Sequence, residues 1–281
     1  MLTLSTIDSL QTLLKQWRAS GASIGFVPTM GNLHAGHLDL VKHAQKKCTR
    51  VVVSIFVNPT QFGPNEDFAS YPRTVTEDQL QLSAAAVDVL FLPTSELLYP
   101  EGSQTRVLVD HLSDLHCGAS RPGHFCGVAT IVAKLFNIVQ PDIAFFGEKD
   151  WQQLTIIRQM VQDLNFPLTI NSVTTVREHD GLAMSSRNSY LTPVQRLIAP
   201  VLYQTLCAAK TAVLAKKLPF SDIEHQAWTA LKNAGFEPDY VTICKQHSLQ
   251  AAQESDSELV ILAAAKLGSP RLIDNIHFSR V

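Results

Sequence analysis

The chain has 281 residues, 46% hydrophobic and 17% charged, with a formal net charge of −2. That length suits one large domain or a large and a small one around a well-buried core, and the composition excludes a disordered or fibrous chain. The near-neutral balance supplies no wide basic field, so no nucleic-acid partner is expected.

At the N-terminus, MLTLSTIDSL lacks a basic segment ahead of an apolar run, and the late apolar stretch LVILAAA is too short to span a bilayer. A cytoplasmic protein without a membrane partner is the expectation. Apolar runs rich in β-branched residues follow at SIGFVPT, RVVVSIFVN, VDVLFLP and DIAFFG. They alternate with helical-period stretches over 36–47, 75–85, 127–139 and 150–164, and LTINSVTTV at 168–176 adds a strand. This alternation predicts an α/β fold in which helices cover a parallel sheet, most simply doubly wound. Beyond REHDGLAMSSRNSYLTP the pattern changes: a long helix is predicted from Val194 to Lys217, then DIEHQAWTALKNAGF, DYVTICK and ELVILAAAK between polar turns. The reading is therefore two domains, 1–178 and a smaller α+β domain over 179–281.

Three clusters within this pattern carry chemistry. FVPTMGNLHAGHL sets His34 and His37 three residues apart, where a buried strand ends and a helix begins. Open α/β sheets receive ligands at that edge, and helix N-termini offer unpaired N–H groups to a phosphate. Gly31 and Gly36 would let a base or phosphate approach the backbone. Capping histidines and a zinc pair are the alternatives; the spacing lacks the i, i+4 pattern and glutamate of a zinc helix. FFGEKDWQQL repeats the order of strand, glycine, charges and helix, with Lys149 as a point charge for phosphate and Gln153 one turn beyond Asp150. DGLAMSSRNSYLTP brings Ser185, Ser186 and Arg187 together in a loop suited to wrapping an anion, or simply solvated.

The five cysteines, Cys48, Cys117, Cys126, Cys207 and Cys244, form no C-x-x-C pair and are read as reduced. His111, His116, Cys117, His124 and Cys126 crowd sixteen residues, but their spacing matches no standard zinc template; His124 reads as a turn or capping residue after Gly123.

The pair of HxGH and a KMSKS-like loop is similar to the nucleotidylyltransferase and class I aminoacyl-tRNA synthetase superfamily. VPTMGNLHAGHL, IFVNPTQFG, YPRT, RPGHFCGVATIV, FGEKDWQQL and REHDGLAMSSRNSYL together resemble the pantothenate synthetase family from about residue 3 to 280. The resemblance implies a Rossmann-like domain with a small C-terminal lid domain, a homodimer, and ATP-dependent condensation of pantoate with β-alanine through a pantoyl adenylate. It implies ATP contacts from Met30, Gly31, Asn32, Leu33, His34, Ala35, Gly36 and His37, from Gly147, Glu148, Lys149 and Asp150, and from Val176, Met184, Ser185, Ser186 and Arg187. Within these, His34, His37, Lys149 and Arg187 are the catalytic candidates, with His37 the proton donor. Gln61 would serve pantoate and β-alanine, with Asn58 beside it; Gln153 would serve pantoate, and Arg121 would reach the substrate region. Mg²⁺ is expected to ride on the ATP phosphates, although Glu77 and Asp78 form a candidate metal-proximal pair.

Two further enzyme classes share HxGH. A cofactor nucleotidylyltransferase would transfer a nucleotide to a phosphate acceptor, whereas Gln61 and Gln153 suit a carboxylate and an amine. For a tRNA synthetase, residues 182–281 hold ten Lys/Arg against eight Asp/Glu and no basic stripe. A non-catalytic ATP-binding module would bind nucleotide without releasing AMP.

Overall fold

In the computed structural model, which describes residues 1–64 and 66–280, the early apolar runs become parallel strands. The order is β1 (Leu2–Leu4), α1 (Ile7–Ala19), β2 (Ile24–Thr29), α2 (Ala35–Lys47), β3 (Arg50–Ile55), α3 (Val75–Ala84) and β4 (Val89–Phe91). It continues with α4 (Ser95–Leu98), α5 (Cys117–Ser120), α6 (His124–Val139), β5 (Ile143–Gly147), α7 (Trp151–Asp163) and β6 (Thr169–Val173). Across the sheet the strands run β1-β4-β3-β2-β5-β6, every pair parallel. From β2 the chain steps outward through β3 and β4, then crosses back to place β5 and β6 on the other side. The reversal lies between β2 and β5, and such a switch point opens a crevice beyond the carboxyl ends of its strands.

The uninterrupted apolar runs have a direct cause. Ile24 and Phe26, Val52, and Val89 and Phe91 enter the core beneath α1 and α6, while Val27, Val51 and Val53, and Leu90 enter the core beneath α2. Alternate residues point to opposite faces, and both faces are covered, so the central strands are apolar on both sides apart from the buried Ser54 of β3. α6 is apolar on nearly all sides because it is buried over most of its length. Leu10 and Leu14 of α1 are fully buried, each contributing about 1.5–3 kcal/mol.

The C-terminal part contains α8 (Pro193–Ile198), α9 (Val201–Ala215), α10 (Phe220–Asn233) and an antiparallel sheet of β7 (Glu237–Lys245), β8 (Glu258–Lys266) and β9 (Arg271–Ser279), in the order β7-β8-β9. Leu259, Ile261, Ala263 and Ala265 of β8 pack under α9 and α10; Val260 and Leu262 pack in the core of the first sheet. Thus β8 is sandwiched, which explains an apolar run without alternation in an antiparallel sheet.

One predicted element is corrected. The helix read over Val194–Lys217 is α8 and α9, interrupted at Ala199–Pro200, because proline has no N–H to donate and its ring crowds the carbonyl four residues back. Lys216, at φ 54°, ends α9 in the left-handed region. Taken across the kink, Pro193–Ala215 is long and apolar enough to cross a membrane by length and composition. Here Leu202, Leu206, Ala209 and Val213 lie in the C-terminal core, which accounts for part of that apolarity, while Val194, Leu197 and Leu214 are exposed.

Candidate active site

A cleft of about 1070 Å³ opens beyond the carboxyl ends of β2 and β5. Its first wall begins where β2 stops at Thr29 and the turn Met30–Leu33 leads into α2. Asp78, 1% exposed, fixes that turn: its carboxylate accepts from the backbone N–H of Asn32 at 2.9 Å and of Leu33 at 2.8 Å, and from the Thr74 hydroxyl at 3.3 Å. Asp78 therefore shapes the backbone, and Glu77 is exposed to solvent; the metal-proximal reading of this pair is corrected. Gly31, at φ +81°, is needed here because a Cβ would lie 3.0 Å from both Asp78 Oδ2 and Ile55 Cγ2. The space it frees is filled by the protein itself, not left open to a ligand.

The two histidines cap α2 reciprocally. Gly36 N–H donates to His34 Nδ1 at 3.1 Å, and His34 N–H donates to His37 Nδ1 at 3.3 Å. With both Nδ1 atoms accepting, each neutral ring carries its proton on Nε2. The rings lie 4.1 Å apart between centroids. Burial, followed by the charge of Lys149, lowers the His34 pKa to about 4; burial, then His34 and Lys149, lowers His37 to about 3. At neutral pH the pair is uncharged and offers two Nε2–H donors. The intervening glycine has its own reason: a Cβ on residue 36 would meet the His34 ring at 2.9 Å. Capping and ligand presentation, which the sequence sets against each other, are compatible, since Nδ1 does the first and leaves Nε2 for the second.

Opposite stands the turn Glu148–Asp150 between β5 and α7. Lys149 Nζ lies 3.6 Å from Asp150 Oδ1. Gly147, Lys149, Asp150 and Gln153 line the cleft. The neighbouring Gln152 is structural: it is 5% exposed and bonds Cys117 N, Leu112 O and Leu115 O.

Gln61 forms the floor, 8% exposed. Asn58 Nδ2 donates to its Oε1 at 3.1 Å and to Gly127 O at 3.2 Å, while Gln61 Nε2 points at Met30 Sδ, 2.9 Å away. Its backbone carbonyl accepts from His124 Nδ1 at 2.7 Å and Arg121 Nη2 at 3.3 Å. Hence His124 is more than a turn residue: as the first residue of α6 it holds Gln61 in place. Burial and then the Arg121 charge lower its pKa to about 4. Arg121 itself grips Glu66 through Nε at 2.6 Å and Nη2 at 2.5 Å. Burial alone would raise the Glu66 carboxyl, but the bonds and charge of Arg121 hold it below its ordinary value.

Val176, Met184, Ser185, Ser186 and Arg187 complete the lining. The Ser185 hydroxyl accepts from Arg187 N–H at 3.3 Å, and the Ser186 hydroxyl donates to Asn32 O at 3.0 Å, fastening this loop to the turn before α2. Arg187 is not a free cation: Nε and Nη2 bind the two Asp67 oxygens at 3.0 and 2.9 Å.

Of the residues assigned to ATP by resemblance, Met30, His34, Gly36, His37, Gly147, Lys149, Asp150, Val176 and Met184–Arg187 come together on this cleft, as do Gln61 and Gln153. Gly31, Asn32, Leu33, Ala35 and Glu148 do not line it. Leu33 is buried in the core beneath α2, Ala35 faces solvent, and Glu148 Oε2 lies 3.3 Å from His277 Nε2. The crowded His/Cys segment disperses: His116 Nε2 bonds Leu249 O at 2.8 Å and Cys117 Sγ contacts the Tyr240 hydroxyl at 2.9 Å. Among the described residues no group of three or more His, Cys, Asp or Glu could hold a metal ion. Glu66 and Asp67 also line the cleft and escape sequence reasoning, because only their through-space arginine partners distinguish them from other loop residues; Tyr71, of the YPRT stretch, lines it too.

A switch-point crevice with two helix-capping imidazoles, a lysine turn and a serine-rich loop defines a nucleotide-binding α/β enzyme. The chain belongs to the pantoate–beta-alanine ligase family, whose family model matches residues 2–277. It is 54% identical to the pantothenate synthetase of Shewanella baltica (strain OS223) and 53% to that of Shewanella oneidensis, each alignment covering 100% of both chains. Among solved structures, pantothenate synthetase from Thermus thermophilus matches with a TM-score of 0.92 and 46% identity, covering 98% of this chain and 99% of that one. Pantoate-beta-alanine ligase from Francisella tularensis, complexed with beta-gamma ATP and beta-alanine, matches with a TM-score of 0.83 and 34% identity, covering 98% and 97%.

Proposed function

We propose that this ligase joins pantoate to β-alanine in two steps within the one cleft, with His34, His37 and Lys149 acting on the triphosphate. The observation that carries this reading is the pair of neutral imidazoles whose Nδ1 atoms are committed to backbone N–H groups, leaving both Nε2–H donors for a ligand beside Lys149. In the first step a pantoate carboxylate oxygen attacks the α-phosphorus; that bond forms as the bridging bond to the β-phosphate breaks, and pyrophosphate leaves. Nε2–H donors and the lysine charge are placed for the negative charge that gathers on the leaving group. In the second step the neutral β-alanine amine attacks the acyl carbon, the acyl C–O bond to AMP breaks, AMP departs with the electron pair, and the proton lost from the amine goes to the AMP phosphate or to water. Neither step calls for a protein nucleophile; holding the reactants in line supplies much of the acceleration.

His37 enters this scheme as a hydrogen-bond donor. With burial lowering its pKa to about 3, the ring is neutral at pH 7 and presents Nε2–H. Arg187 would reach phosphate by exchanging Asp67 for it, since the guanidinium fork suits either anion. Gln61 and Gln153 present amides toward pantoate, and Gln61 toward β-alanine as well. Magnesium is part of the nucleotide substrate in this reading. Of the carboxylates near the cleft, Glu66 is held by Arg121 and Asp78 by backbone N–H groups, while Asp150 pairs with Lys149 at 3.6 Å and Asp67 is released as Arg187 turns to phosphate; the phosphates, water and those last two carboxylates are the groups open to the ion. A homodimer and a cytoplasmic location accompany the reading on the strength of the family resemblance.

The test separates the steps. With Mg·ATP and pantoate alone, labelled pyrophosphate should exchange into ATP. Exchange that required β-alanine would mean a concerted reaction, and exchange without pantoate would mean nucleotidyl transfer to another acceptor.

A further inference from the structure

Strand β9 reaches from the C-terminal sheet to the turn that carries Lys149. Asn275, 5% exposed, donates both hydrogens of its side-chain amide to backbone carbonyls, Glu148 O and Lys149 O, each at 2.9 Å. Those two carbonyls belong to the peptide units on either side of the Lys149 Cα. Holding both planes fixes the two soft backbone torsions of that residue, and with them the direction in which its side chain leaves the turn.

The strand behind Asn275 is itself held. Asp274, 4% exposed, accepts from Arg177 Nη1 at 2.6 Å and Nη2 at 2.9 Å, and takes the Asn275 N–H at 2.8 Å. Arg177 lies over the Tyr203 ring at 3.5 Å and donates to Gly181 O at 3.1 Å. Asn275 also pairs with Leu262 in the sheet. Two residues along, His277 stacks on Trp151 at 4.4 Å and approaches the Glu148 carboxylate, a side-chain contact with the turn.

We propose that Asn275 is a positioning residue for adenylate formation, setting the backbone of the Glu148–Asp150 turn so that Lys149 meets the ATP phosphates. The inference rests on the reading of Lys149 as a phosphate contact. Loss of that setting displaces a charge-stabilising group, and misplacement by about 1 Å costs on the order of 10²-fold.

The experiment uses the full-length enzyme with native circular dichroism. Pantoate-dependent pyrophosphate exchange and the reaction of preformed pantoyl adenylate with β-alanine are measured for Asn275→Ala, Lys149→Ala and the double variant, with His277→Ala as control. Asn275→Ala should slow exchange at least about tenfold, yet change the amide-forming step by no more than about twofold. In the Lys149→Ala background it should add little further loss, since interacting residues are non-additive. Asn275→Ser, which donates one hydrogen bond instead of two, should fall between and serves if the alanine variant does not fold; His277→Ala should exchange normally. The proposal is overturned if Asn275 variants exchange normally, slow both steps equally, or multiply with Lys149→Ala. Normal exchange by Lys149→Ala alone would instead remove the premise about Lys149, an outcome visible in that single variant.

Discussion

Acidification from about pH 7.5 to 5.5 should leave His34 and His37 uncharged. The burial of both rings, with Lys149 beside them, holds their pKa values at about 4 and about 3. At pH 5.5 a group of pKa 4 is about 3% protonated, whereas an ordinary histidine at 6.5 is about 90% protonated. Long-range ¹H–¹⁵N correlation of the imidazoles reads charge and tautomer together, and should show neutral Nε2–H rings for both residues down to about pH 5. The stability consequence has a definite sign. Both folded pKa values lie below the unfolded one, so the unfolded chain takes up protons first. Stability from the neutral pair is full above about pH 6.5 and is lost as pH falls toward 4 for His34 and 3 for His37. At pH 5 a fully shifted histidine costs up to ~2 kcal/mol; solvent in the open cleft screens part of this, leaving on the order of 1 kcal/mol each. An imidazole that titrates at pH 6 or above, or one carrying its proton on Nδ1, would refute the capping argument.

His37→Ala should lower kcat for adenylate formation by about 10²-fold with the fold intact, as measured by pyrophosphate exchange alongside circular dichroism; near-normal turnover would make the residue a cap only. Asp78→Ala strands two backbone N–H groups that a buried carboxylate now satisfies, and should reduce unfolding free energy by about 2–4 kcal/mol in urea titration. A loss under about 0.5 kcal/mol would show that the turn before α2 does not depend on it. Sedimentation should give a species near twice 30.9 kDa, and a monomer independent of concentration would count against the dimer.

Periodicity alone establishes the architecture that carries the site. Strands buried on both faces leave apolar runs that can be read directly, as at Val51–Val53 and Val89–Phe91, and the HxGH residues follow such a run, so the phosphate edge is visible from spacing. Local rules fail where the buried stripe is narrow or polar partners intrude. Helix α1 shows the first, burying only Leu10 and Leu14. Strand β9 shows the second: Asp274, Asn275 and His277 break its alternation because they bind Arg177 and the Lys149 turn. Pro200 is legible, and the kink between α8 and α9 follows from its missing N–H; reading a continuous helix through it gives an apolar pattern too much weight. What tertiary structure alone decides is the state of the site. The neutrality of His34 and His37 depends on how deeply the cleft buries them and on Lys149, which is remote from both along the chain. The pairing of Arg187 with Asp67, of Asp78 with the turn before α2, and of Asn275 with the carbonyls of Glu148 and Lys149 all join residues distant in sequence. Side-chain spacing records which face of an element is buried, but a hydrogen bond between elements depends on the register and packing that bring its two ends within about 3 Å.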